Sequence, residues 1–159
     1  MLVNLTKVSV EPETKLIEVT INRQDAMRGR VRVVAPDGED LIIDLPRGEN
    51  ISDGDIFGSS SSGVCYKMLI EPERVMKVLL QDPYSSDSLE NAIKLGYSLG
   101  NRHLEVLIED GKVYVPVAIG EEKIKRILDM MDLPITYESV QKVISTSAAG
   151  YHAGEDDHI

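Results

Sequence analysis

The apolar residues of this chain change their spacing once, and the change falls at Glu71-Pro72-Glu73-Arg74. Before that point they alternate or cluster in short runs. KLIEVTI (15–21) alternates, and RGRVRVVAPDGEDLIIDL (28–45) reads as two strands around the Pro36-Asp37-Gly38 turn. LPRGENISDGDIFG follows with turns at Arg47-Gly48 and Asp53-Gly54, then the polar loop SSSSG (59–63) and the strand VCYKMLI (64–70). Turn signals roughly every 8 to 12 residues predict a small all-β unit.

After that point the spacing becomes mixed. VMKVLLQ (75–81) reads as a strand, and DPYSSDSLENAIKLGYSLG (82–100) reads as a helix. In that helix Asp87 and Glu90 form a capping pair, Leu89, Ile93 and Gly96 or Tyr97 make the apolar face with Ala92 alongside, and Gly100 is the left-handed closing residue. HLEVLIED and KVYVPVA are strands flanking Asp110-Gly111, a hairpin signal. EEKIKRILDMMD is a second helix with Ile124, Ile127, Leu128 and Met131 on one face, stopped by Pro134. ITYESVQKVI closes the series as a strand. The order βαββαβ is the ferredoxin-like arrangement. The expected fold is therefore α+β: a small N-terminal all-β domain over 1–73, a ferredoxin-like domain over 74–145, and a flexible acidic tail over 146–159.

Composition narrows the function. With 27 acidic against 17 basic side chains, a formal charge of -10 repels phosphate backbones, so no nucleic-acid partner is expected. One cysteine, Cys65, cannot make an internal disulfide, which fits a reducing compartment. No apolar run approaches a membrane span and the first residues lack a long apolar stretch, so a cytoplasmic protein without membrane or signal segment is expected.

Few residues carry candidate chemistry. Of three histidines, two lie in the last eight residues, and His103 sits where the first helix ends. On position alone it is a polar corner residue opening a strand. The alternative is a metal ligand, since neutral imidazole suits Ni, Cu and Zn. One histidine per chain makes no site, but a two-fold dimer supplies two. The tail GYHAGEDDHI adds His152 and His158 as nitrogen donors beside Glu155, Asp156 and Asp157, with no lysine or arginine after Lys142. It reads equally as a solubilising tail. Arg28, Arg30 and Arg32 alternate and would share one strand face, either solvated or docking an acidic partner. Cys65, between apolar neighbours, reads as a buried small group. There is no P-loop, GxSxG, HExxH or CxxC pattern, and no partner for His103 as a general base, so an enzyme is not expected.

Taken together, three stretches resemble the urease accessory protein UreE family of nickel metallochaperones. The most specific is LGNRH (99–103), after a helix and before LEVLIEDG. Residues 28–57 are similar to the family's opening pattern of alternating arginines, a DG turn, an LPRG-like turn and a GD before the next strand. The glycine-, tyrosine- and histidine-containing terminus is similar as well. The resemblance implies a homodimer and a β domain that contacts the urease apoprotein complex. It also implies that His103 of both subunits binds nickel for delivery to the urease apoprotein, through accessory proteins including the maturation GTPase. Zinc or copper would bind in vitro. A non-catalytic adaptor without a metal role is the alternative.

This chain departs from the family where KVYVPVAIGEEKI (112–124) holds no histidine and where the tail holds only two. A low nickel capacity follows, about one ion per dimer at the His103 pair. Because imidazole binds metal only when neutral, nickel affinity should fall between about pH 7.5 and about pH 5.5. Equilibrium dialysis across that range checks it, and constant affinity would exclude histidine ligation.

Overall fold

A computed structural model describes residues 2–9, 14–59 and 63–145. The described chain forms two compact units. One runs to Pro72 and takes up Val143, Ile144 and Ser145 again, and the other is Glu73–Lys142. The last three described residues thus belong with the first unit, against the expectation that 74–145 is continuous. Val143 packs on the first unit's core, and Ile144 beside it is buried.

In the first unit, β1 (Leu2–Lys7), β2 (Lys15–Ile21), β3 (Arg30–Val34), β4 (Asp40–Asp44), β5 (Ile56–Gly58) and β6 (Val64–Ile70) form one sheet ordered β2-β6-β5-β1-β4-β3. The expected β3–β4 hairpin is present, with Arg30 opposite Asp44 and Val34 opposite Asp40. Its turn is closed by the Gly38 N–H donating to the Ala35 carbonyl at 2.9 Å. Strand alternation puts Tyr66, Met68 and Ile70 of β6, Leu41 and Ile43 of β4, and Val19 and Ile21 of β2 into one core with Phe57. Cys65, on the other face of β6, is only partly buried.

Tyr66 is the core residue with a polar end. Its hydroxyl donates to Asp37 Oδ2 at 3.0 Å, tying the hairpin turn to the core. Burial first, and that bond second, push its phenol up to about 12.

Two elements have no counterpart in the sequence reading. One is β1, which pairs parallel with β4. The other is the short helix α1 (Arg23–Arg28), capped by Asn22 Oδ1 accepting from the Asp25 N–H at 2.8 Å. Gly29 ends α1 in the left-handed region at φ 64°. A methyl group there would meet the Glu49 carbonyl oxygen at 2.4 Å. The Gly29 carbonyl also accepts from the Leu45 N–H. Both the angle and the space therefore demand glycine.

The second unit contains β7 (Glu73–Leu80), α2 (Ser88–Gly100), β8 (Leu107–Glu109), β9 (Lys112–Pro116), α3 (Glu121–Asp129) and β10 (Ile135–Lys142). Its sheet order β10-β7-β9-β8, with every pair antiparallel, is the ferredoxin-like topology. Met76, Val78 and Val115 from the sheet meet Leu95 and Leu99 of α2 and Ile124 and Leu128 of α3 in a second core. The turn between β8 and β9 has positive φ at both Asp110 and Gly111, the primed hairpin turn that the dipeptide announces.

The ends of α2 differ from expectation. Residues 82–87 are turns, with Asp82 Oδ1 accepting from the Tyr84 N–H. Asp87 makes no side-chain cap bond; its carboxylate accepts from the Ser86 hydroxyl and Glu90 pairs with Lys94 at 2.6 Å instead. Adjacent charge and hydroxyl groups competed successfully for both members of the expected capping pair. Among the described residues no helix is long and apolar enough to cross a membrane.

Gly29→Ala should destabilise the first unit by more than about 1 kcal/mol. Urea denaturation read against wild type checks this, and an unchanged midpoint would refute the glycine requirement.

Candidate metal centre

Helix α2 carries two apolar faces, and packing decides between them. Leu95 and Leu99 turn inward. The other stripe, Leu89, Ile93 and Tyr97, is spaced four residues apart and points to solvent, 72 %, 62 % and 74 % exposed. The face expected from the sequence to enter the core is thus the outer one. Spacing reveals that two residues share a face but not which way it turns. Ala92, Gly96 and Gly100, also four apart, are exposed beside the stripe. A Cβ added at Gly96 or Gly100 would touch nothing within 4 Å. Neither glycine has a positive φ, and Gly96, inside the helix, weakens it by about 1 kcal/mol relative to alanine. Under the helix lies an apolar cavity of about 220 Å³, lined by Val78, Leu80, Leu95, Val106 and Val113 among others.

His103 stands at the C-terminal end of α2, and its setting differs from the expected one. Gly100 remains helical, and the left-handed residue is His103 itself, at φ 53°. The His103 N–H donates to the Gly100 carbonyl at 2.9 Å and the Leu104 N–H to the Leu99 carbonyl at 3.3 Å. These nested bonds make a Schellman closure with His103 at the position after the cap. Leu104 packs on the same core as Leu99, the apolar contact that accompanies this motif. Arg102 folds back, its Nη1 donating to the Ser98 carbonyl at 2.9 Å. The imidazole is exposed, and β8 starts only at Leu107, so His103 ends a helix and does not open a strand.

The other expected ligands, His152 and His158, lie outside the described residues. Among the described residues no three His, Cys, Asp or Glu side chains gather at metal-holding distance. Among the described residues His103 is the one histidine, and it offers a single imidazole.

The arginine row also divides. Arg28 ends α1, so only Arg30 and Arg32 share the outer face of β3. Arg30 grips Asp44 through two bonds of 2.9 and 3.1 Å, and Arg32 grips Asp40 at 2.7 and 3.1 Å. The bond from Arg32 holds the Asp40 carboxyl below the usual carboxylate range. Arg28 has a looser contact with Asp25 at 3.7 Å. Arg47, passed over in the sequence as a turn residue, lies with Arg28 and Arg30 around a depression of about 550 Å³.

Residues 2–64 match the N-terminal domain of the UreE urease accessory protein, and residues 73–159 match its C-terminal domain. The chain belongs to the UreE urease accessory protein family. Among relatives bearing the name urease accessory protein UreE, one from Nostoc sp. (strain PCC 7120) is 26 % identical over 146 residues, 91 % of this chain and 93 % of the relative. One from Microcystis aeruginosa (strain NIES-843) is 29 % identical over 133 residues, covering 84 % and 78 %. One from Prochlorococcus marinus (strain MIT 9215) is 31 % identical over 93 residues, and the matched span covers only 58 % of each chain.

The geometry makes a direct prediction about α2. In dilute solution Ile93→Ser should leave unfolding stability within about 0.5 kcal/mol of wild type, whereas Leu99→Ala should cost about 2 to 5 kcal/mol. The reverse order in chemical denaturation would mean that α2 is rotated.

Proposed function

We propose that this protein is a nickel metallochaperone that acts in urease maturation as a homodimer, carrying about one ion between two copies of His103. Membership of the UreE family supports the urease assignment. The observation that carries the metal reading is an exposed imidazole at the end of a helix whose outer face is apolar and left uncovered by the described residues. Pairing two α2 helices across a two-fold would cover Leu89, Ile93 and Tyr97, and the glycines beside them would let the helices approach closely. An isologous contact presents the same residue from both sides, so a dimer that pairs the C-terminal ends of α2 offers two imidazoles.

Two neutral imidazoles are borderline donors that suit nickel and also zinc or copper. They leave coordination positions for water, for His152 and His158 of the tail, or for an acceptor's ligands. Such an open site releases its ion more readily than a closed one, and delivery requires release. The acceptor in this reading is the urease apoprotein with its accessory proteins, including the maturation GTPase. Arg28, Arg30 and Arg32 are the proposed docking residues in the first unit, with Arg28 the least committed to a neighbouring acid. No catalytic role is assigned, and the site of action is the cytoplasm.

Nickel titration calorimetry on wild type, His103→Ala and Ile93→Glu tests the reading. Loss of the tightest site, half an ion per chain, is expected in the first variant. Loss of both the dimer and that site is expected in the second. Equal binding by wild type and His103→Ala would move the metal to the tail. No binding by either would favour a protein-interaction adaptor.

A further inference from the structure

Strand β3 is the last of its sheet and pairs with β4 alone among the described strands. The Leu45 N–H donates to the Gly29 carbonyl at 2.8 Å, and the Ala35 N–H donates to the Glu39 carbonyl at 2.8 Å. Bonded and non-bonded pairs alternate along an antiparallel ladder, so these two bonds fix the phase between them. Val31 and Val33 bond to β4, whereas the N–H and C=O groups of Arg30, Arg32 and Val34 point to the open edge. The side chains of the same three residues share the outer face of the strand, where Val34 is 65 % exposed. An uncovered edge is a template for one more strand.

Charge selects the kind of strand. The chain has a formal charge of -10, yet the depression at the start of β3 is lined by Arg28, Arg30 and Arg47 against one acid, Asp44. Among the described residues no ion pair engages Arg47, and Arg28 meets Asp25 only at 3.7 Å. Arg30 and Arg32 bind their aspartates through Nε and Nη2, which leaves Nη1 of each guanidinium with two further N–H donors. We propose that the open edge of β3 takes an extended acidic segment of a partner protein as an added strand, its carboxylates held by Arg28 and Arg47 in the depression and by Nη1 of Arg30 and Arg32. This rests on reading the arginine row as the docking face. Side chains alternate along an added strand, so the segment carries its acids at every second position. A phosphate group would satisfy the guanidinium groups but leave the edge unpaired. Only a peptide backbone uses both features.

Fluorescence anisotropy on the full chain tests this with labelled synthetic peptides. One alternates aspartate with valine, the second is the same peptide N-methylated along its backbone, and the third alternates lysine with valine. The proteins are wild type, the double variant Arg28→Glu/Arg47→Glu, and Val34→Pro. Proline at 34 removes an N–H that faces the open edge and leaves the ladder to β4 intact, a position where an edge strand tolerates it. The aspartate peptide should bind wild type and the lysine peptide should not. Binding of the aspartate peptide should weaken at least about tenfold in the arginine variant. A loss of similar size is expected in Val34→Pro and for the N-methylated peptide on wild type. If wild type ignores the aspartate peptide, or binds the lysine peptide equally, the proposal fails. If the arginine variant binds as wild type does, the docking reading falls and takes the proposal with it. If only the arginine variant loses affinity, the docking reading stands and strand addition fails. Should Val34→Pro not fold, the N-methylated peptide decides that point alone.

Discussion

The burial of Leu95 and Leu99 against Met76, Val78 and Val115 sets the rotation of α2 about its own axis, and the candidate metal centre follows from that rotation. With these two leucines inward, Leu89, Ile93 and Tyr97 face out. The same choice puts Leu104 within reach of the core just after the helix, so the chain turns through a left-handed residue to deliver it. That residue is His103. The buried pair thus exposes an apolar stripe and places His103 at its end.

The sheet beneath α2 supports this arrangement. Strand β7 is paired on both sides, to β10 over its full eight residues and to β9 over four. A strand held on both edges opens late, since its hydrogen bonds break only when a neighbour leaves. Met76 and Val78 project from it toward the helices. On the other face of the sheet Lys77 is bound to Glu138 at 2.7 Å, beside the buried Val75 and Tyr114. The Glu138 carboxylate is largely exposed, and pairs of that kind contribute little to stability. Apolar burial therefore outweighs that ion pair.

In the first unit the same hierarchy holds. The exposed pairs Arg30–Asp44 and Arg32–Asp40 follow from strand register, because β3 and β4 bring those residues opposite or diagonal to one another. Screening by solvent makes each contribute little to stability. Their larger consequence is for recognition: they engage two of the arginines locally and leave Arg28 and Arg47 as the less committed guanidinium groups of that surface. Spacing alone placed Arg28 in the wrong element, because a six-residue helix ending at Gly29 leaves no periodic trace in the sequence.

Much of the fold was legible in the sequence. The turn dipeptides Asp37-Gly38 and Asp110-Gly111 announced both hairpins because their backbone angles are local requirements. The order βαββαβ and the burial of Ile124 and Leu128 followed from periodicity. The direction in which α2 faces was not legible. Both of its stripes are apolar, and only packing on β7 selects the buried one. Nor was the left-handed conformation of His103, since Gly100 offered the better local candidate. Sequence determined the order of elements in the second unit and the hairpin turns of both units. Tertiary structure decided which face is buried and where the helix closes, because those outcomes depend on the core that receives Leu99 and Leu104 and not on the preferences of α2 itself.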